Sequence, residues 1–170
     1  MGYKGKACDK PAPDFSSKLK ALDAQAELIV AKYDQKSAAT LTLLHLAQDA
    51  CGYVTPEIEQ WVARWADVTP VHVHGVVTFY SMYHQAPVGR HHIRFCTTTS
   101  CVLNGSEDLL GHVKKKLGIQ NGGVTPDGKY SLEESECLCA CDQAPVMQVG
   151  DDYHSQLTAK KIDRILDGLK

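Results

Sequence analysis

Two short segments carry most of the reactive chemistry in this chain. Cys96-Thr97-Thr98-Thr99-Ser100-Cys101 spaces two thiols as C-x4-C. Cys137-Leu138-Cys139-Ala140-Cys141 spaces its outer thiols as C-x3-C, with a third between them. Five of the seven cysteines thus lie between positions 96 and 141, and an odd total argues against a fully paired disulfide framework. In a reducing compartment, clustered thiols point to metal binding or redox work rather than to staples. Two thiolate pairs on two loops suit a [2Fe–2S] cluster, one pair per iron. Such loops can curl round an iron with backbone N–H groups and threonine hydroxyls aimed at sulfur, which offsets negative charge and helps set the potential. The acids Glu133, Glu134, Glu136 and Asp142 act the other way and favour a low potential.

Structural zinc is the competing metal. Zinc accepts C-x2-C to C-x4-C pairs, so the first segment is permissible, although Thr-Thr-Thr-Ser lacks the glycine of a typical knuckle. A thioredoxin-type C-x-x-C is absent, which weakens a dithiol oxidoreductase. Cys139 could still form a strained redox pair with Cys137 or Cys141. Cys51 falls on the apolar stripe of a helix and reads as core, and Cys8 in the N-terminal arm as incidental.

The elements that must position these thiols differ between the two halves. Leu19, Leu22, Ala26, Ile29, Val30 and Tyr33 recur at helical spacing. Ser37 is placed to cap a second helix, with Leu43, Leu44, Ala47 and Cys51 inward and Gly52 at its stop. Thr55-Pro56 and Thr69-Pro70 each pair a capping residue with a first-turn proline, opening a third helix and a fourth that runs toward Tyr83. Four short helices make a small bundle. After Pro87-Val88-Gly89 the pattern changes. A strand ends at Cys96, a helix with Leu109, Leu110, Val113 and Leu117 stops at Gly118, and strands follow at 129–136 and 146–149. Thr158 caps a last helix. The expected organisation is α+β: a flexible arm at 1–17, a helical domain at 18–88, and a mixed α/β domain at 89–170 with its cysteines in loops that leave strands.

Bulk properties exclude several functions. Hydrophobic residues are 44% and charged residues 22%, with a formal net charge of -2, so neither nucleic acid nor an anionic membrane is an expected partner. The run Lys114-Lys115-Lys116 reads as the solvated end of a helix. No apolar stretch approaches the roughly 20 residues that span a bilayer. The first residues lack the apolar centre of a secretory signal, so a reducing interior such as the cytoplasm is expected. There is no G-x-G-x-x-G or P-loop, so nucleotide or flavin binding is not expected of this chain.

Several motifs in order resemble a known family. They are Gly89-Arg90-His91-His92-Ile93-Arg94-Phe95-Cys96 through Cys101, Glu136-Cys137 through Asp142-Gln143-Ala144-Pro145, Gly75-Val76-Val77-Thr78-Phe79-Tyr80-Ser81-Met82-Tyr83, and Leu157-Thr158-Ala159-Lys160-Lys161-Ile162. Together they resemble the thioredoxin-like [2Fe–2S] ferredoxins, and within them the E-type subunits of NADH–quinone oxidoreductases (respiratory complex I), over residues 18–170. The resemblance implies a helical domain followed by a thioredoxin-like domain, with Cys96, Cys101, Cys137 and Cys141 as ligands of a [2Fe–2S] cluster. It implies an electron-transfer subunit of an oxidoreductase of the NADH dehydrogenase (translocase) class, not catalytic alone. The implied partner is the flavin- and NAD-binding subunit, within the peripheral arm of the complex. That arm lies on the cytoplasmic side of the inner membrane, or in the matrix of an organelle. The corresponding subunit of an NAD-linked formate dehydrogenase or hydrogenase is the near alternative. A zinc-stabilised interaction module without redox role is the distant one. Cys139 departs from the family, which usually carries glycine there; a backbone needing positive φ would strain a cysteine.

The remaining candidates have plain readings. His72 and His74 point apart on a helix, so they read as surface or core rather than as a chelate. His91 and His92 with Arg90 and Arg94 form a basic patch that could dock an acidic partner or merely be solvated. Phe79, Tyr80 and Tyr83 are helically spaced and read as core, with partner contact as the other option.

Overall fold

Both Thr-Pro pairs start helices in the computed structural model, which describes residues 13–170. The chain divides between Pro87 and Val88 into two units. The first holds α1 (Ser16–Val30), α2 (Thr40–Cys51), α3 (Pro56–Ala66) and α4 (Pro70–Phe79). Thr55 Oγ1 accepts the Ile58 N–H at 3.4 Å, and Thr69 Oγ1 the His72 N–H at 3.3 Å. α2 stops at Gly52, whose φ of 89° is open to glycine at little cost. Ser37, expected to cap α2, instead sits in a 3-10 turn (Lys36–Ala39), where its carbonyl accepts from Thr40 Oγ1 at 2.7 Å.

The core of this unit includes Leu19, Leu43, Leu44, Ile58, Trp61, Val62, Val73 and Val77. Each large side chain taken from water contributes about 1.5–3 kcal/mol. Trp61 Nε1 donates to Asp23 Oδ1 at 2.9 Å and Trp65 Nε1 to the same oxygen at 3.2 Å, which ties α1 to α3. The arm expected at 1–17 lies outside the described residues up to Ala12, and its last part is not an arm. Phe15 is buried and its N–H donates to Glu57, and Ser16 begins α1. α4 is shorter than expected: Tyr80 is already extended, with φ -91° and ψ 112°. Its valines and Gly75 have weak helix propensity, and Thr78 Oγ1 back-bonds to the His74 carbonyl at 2.9 Å. Tyr83 is buried beyond the helix, its hydroxyl donating to the Leu41 carbonyl, whereas Phe79 is 79% exposed.

The second unit is a five-stranded mixed sheet in the order β2-β3-β1-β4-β5. Its strands are β1 (His91–Cys96), β2 (Gly123–Val124), β3 (Tyr130–Ser135), β4 (Met147–Val149) and β5 (Asp152–His154). β1 and β3 pair in parallel, from His91↔Tyr130 to Cys96↔Ser135. They are joined through α5 (Thr99–Leu103) and α6 (Ser106–Leu117), since a parallel pair needs a crossover. The remaining pairs are antiparallel. Ile93, Phe95, Leu132 and Met147 pack with Leu110 and Val113 of α6 and with Ile162 and Leu166 of α7 (Ala159–Gly168). Thr158 caps α7, accepting the Lys161 N–H at 3.2 Å. His112 and Lys116 of α6 reach Asp163 of α7 at 2.9 and 3.0 Å.

Gly89 enters this unit where no side chain fits. A Cβ there would lie 2.3 Å from the Tyr130 carbonyl carbon.

Candidate metal centre

Parallel pairing of β1 and β3 brings the two thiol segments together. Cys96 and Ser135 are register partners at the carboxyl ends of neighbouring strands, so the loops that follow leave the same edge of the sheet side by side. Pairing continues past the strands, with the Thr97 N–H donating to the Ser135 carbonyl at 2.9 Å. Cys96 closes β1 and its N–H donates to the Val146 carbonyl at 3.2 Å. Cys101 lies not in a loop, as expected, but in α5; a helix of five residues is too short to show a period in the sequence. Cys137 and Cys139 lie in the loop after β3, and Cys141 opens a 3-10 turn (Cys141–Gln143). The first pair is buried and the other three thiols are exposed. Beneath them Leu138, Val146, Ala140 and Ala144 form a small apolar floor.

Donors converge on the sulfurs. Burial pushes the Cys96 thiol up, but the N–H and hydroxyl of Thr98, the Leu138 N–H and the Cys101 thiol outweigh it and hold Cys96 below the ordinary thiol value. Thr98 Oγ1 is 3.6 Å from Cys96 Sγ and also hydrogen-bonds Cys137, so one hydroxyl serves both segments. The Cys139 N–H donates to Cys137 Sγ at 3.2 Å and is the main reason that thiol is held low. Cys101 is pushed up to about 11, first by burial and then by the neighbouring Cys96, against a donor from the Val146 N–H. Cys139 is raised by its bond to the Cys137 sulfur and by the Cys137 charge. Thiolates from both segments, partly buried, and met by N–H and O–H donors, fit an iron–sulfur cluster, whose sulfurs need that compensation.

Two of the four acids near the thiols are engaged by neighbouring side chains. Glu133 binds His92 Nε2 at 2.9 Å and Glu134 binds Lys114 Nζ at 2.6 Å, while Glu136 and Asp142 are exposed. His92 also meets Ser131 Oγ at 2.8 Å, so it faces its strand neighbours rather than solvent. That polar cluster becomes visible only through the register His92↔Ser131. His74 is paired with Glu59 at 2.9 Å and shares no chelate with His72. A cleft of about 840 Å³ along α1 and α3 is lined by residues such as Asp23, Trp61 and Arg64 and includes no thiol or histidine.

The sheet sets two cysteine segments side by side at the carboxyl ends of two neighbouring parallel strands, an arrangement compatible with a thiolate metal centre of the ferredoxin kind. The profile of the thioredoxin-like [2Fe–2S] ferredoxins matches residues 26–170, and the chain belongs to that family. It is 41% identical over 146 residues to an E-type subunit of the NADH-quinone oxidoreductase of Rhizobium meliloti, covering 86% of this chain and 87% of that one. It is 46% identical over 149 residues to the E-type subunit of the corresponding oxidoreductase of Rickettsia bellii, covering 85% and 89%. Among solved structures, an NAD+-reducing [NiFe]-hydrogenase in the H2-reduced state shares the fold over 80% of this chain, with a TM-score of 0.69 and 21% identity; the match spans 23% of that chain.

Proposed function

We propose that this chain is the E-type electron-transfer subunit of an NADH–quinone oxidoreductase. In this reading Cys96, Cys101, Cys137 and Cys141 hold one [2Fe–2S] cluster in the ferredoxin domain at 89–170. The observation that carries it is the pair of thiol segments leaving adjacent parallel strands, with the Cys139 N–H donating to Cys137 Sγ and the Thr98 hydroxyl bonded to both Cys96 and Cys137. Identity above 40% with two E-type subunits over nearly their full length supports the assembly.

When bound, the cluster takes up and releases one electron at a time. This chain's residues do the rest. Cys96 and Cys101, buried and held by β1 and α5, fix one side of the site. The exposed thiols of the 137–141 loop leave the other side open to a partner. The Thr98 hydroxyl and the Cys139 N–H stabilise negative sulfur. Leu103, 80% exposed on the helix that carries Cys101, supplies an apolar contact beside the site. The partner is the flavin- and NAD-binding subunit, which performs the hydride chemistry, and the pair lies in the peripheral arm of the complex. No helix among the described residues is long and apolar enough to cross a membrane.

The test mixes the purified chain anaerobically with that partner and NADH. A spin-half signal of the reduced cluster is expected only with all three present. NADH oxidation by the chain alone, or no reduction with the partner, contradicts the reading.

A further inference from the structure

We propose that Cys139 is a reserve ligand of the same centre, able to take the place of Cys141 on the iron that Cys137 holds. The inference rests on the [2Fe–2S] reading above. Cys139 Sγ lies 3.9 Å from Cys137 Sγ. Two thiolates on one tetrahedral metal, with metal–sulfur bonds of about 2.3 Å, are separated by about 3.8 Å. The two sulfurs therefore already stand at the spacing of neighbouring ligands.

The loop keeps this thiol at a cost. Cys139 has φ 55°, a left-handed conformation that disfavours a Cβ by about 1–2 kcal/mol and that glycine adopts freely. Packing does not account for it, because Cys139 is exposed. Strain at a residue with a reactive side chain, inside a reactive cluster, points to use of that side chain. Exchange is also confined to the adaptable half of the centre. Cys96 and Cys101 are buried and fixed by regular elements, whereas all three thiols of the 137–141 segment are exposed.

The exchange balances without any other reagent. One iron–thiolate bond forms to Cys139 as the bond to Cys141 breaks, the Cys139 proton passes to the departing Cys141 sulfur, and no electron changes hands.

The test uses the full chain, prepared anaerobically, as wild type, Cys139→Ala, Cys141→Ala and the double variant. Iron, acid-labile sulfide, far-UV circular dichroism and EPR after dithionite reduction are read for each. Both single variants are expected to keep about two irons and two sulfides per chain, with g-values shifted in Cys141→Ala, and the double variant to lose the cluster. A cluster-free Cys141→Ala with native dichroism overturns the inference, as does a double variant that keeps its cluster. If Cys141→Ala does not fold, Cys141→Ser replaces it. Iron X-ray absorption then reads four cysteine sulfurs if Cys139 steps in, or an oxygen ligand if it does not. A wild type without iron and sulfide sinks the electron-carrier reading itself, a different result from any of these.

Discussion

Thr98 shows how much one hydroxyl can decide. It touches Cys96 Sγ at 3.6 Å and also hydrogen-bonds Cys137, so it spans the two cysteine segments. A donor to sulfur stabilises the more negative, reduced state, so Thr98→Val is expected to lower the midpoint potential. A bond stronger by about 1 kcal/mol in the reduced state corresponds to about 40 mV for one electron. An EPR-monitored potentiometric titration reads this, and an unchanged or raised midpoint contradicts the role. The five clustered cysteines were legible in the sequence because type and spacing are local facts. The reach of Thr98 was not, since it depends on how the 96–101 and 137–141 segments approach. Cys139 lies between: its departure from glycine is visible in the chain, and its φ of 55° is what that departure costs. Gly89 belongs here too, because a Cβ would meet the Tyr130 carbonyl carbon at 2.3 Å. Backbone cannot yield cheaply, so Gly89→Ala is expected to cost about 2–3 kcal/mol, read by thermal or denaturant melting. A variant as stable as wild type contradicts that close approach.

At the scale of elements, side-chain ties between helices give further expectations. Asp23 of α1 accepts from both Trp61 and Trp65 of α3, and Trp61 is 2% exposed. Asp23→Ala leaves a buried indole N–H without its acceptor, an expected loss of about 1–3 kcal/mol in urea unfolding. α6 and α7 are joined through Asp163, whose carboxyl His112 and then Lys116 hold below its ordinary value of 3.8. A carboxylate depressed in the folded state adds stability that is present above pH 3.8 and lost as pH falls through the lower folded value. Asp163→Asn is therefore expected to flatten that part of the acid limb. Equal slopes for variant and wild type below pH 3.8 contradict it. Helix starts at Thr55, Thr69 and Thr158 and stops at Gly52 and Gly118 were legible because capping is chemistry between near neighbours. α5 and β2 were not, since a helix of five residues and a strand of two show no period, and β5 (Asp152–His154) opens on the polar residues of the turn before it. The early end of α4 escaped for another reason: helical spacing persists to Tyr83, while backbone propensity fails at Phe79.

For the whole molecule, the role follows from family and site together. The chain carries free thiols at the ends of two neighbouring strands and belongs to the thioredoxin-like [2Fe–2S] ferredoxins, so its chemistry is electron exchange. Family membership was legible because several motifs occur in the right order across most of the chain. That the two cysteine segments meet was expected from the cluster reading; how they meet was not legible, because it needs the parallel register of β1 with β3. One preparation tests the central claim most directly: the anaerobic full chain analysed for iron, acid-labile sulfide and zinc, with an EPR spectrum after dithionite reduction. An electron carrier gives about two irons and two sulfides per chain and a spin-half signal. About one zinc, no sulfide and no signal contradicts electron transfer and leaves a colourless, metal-stapled interaction module.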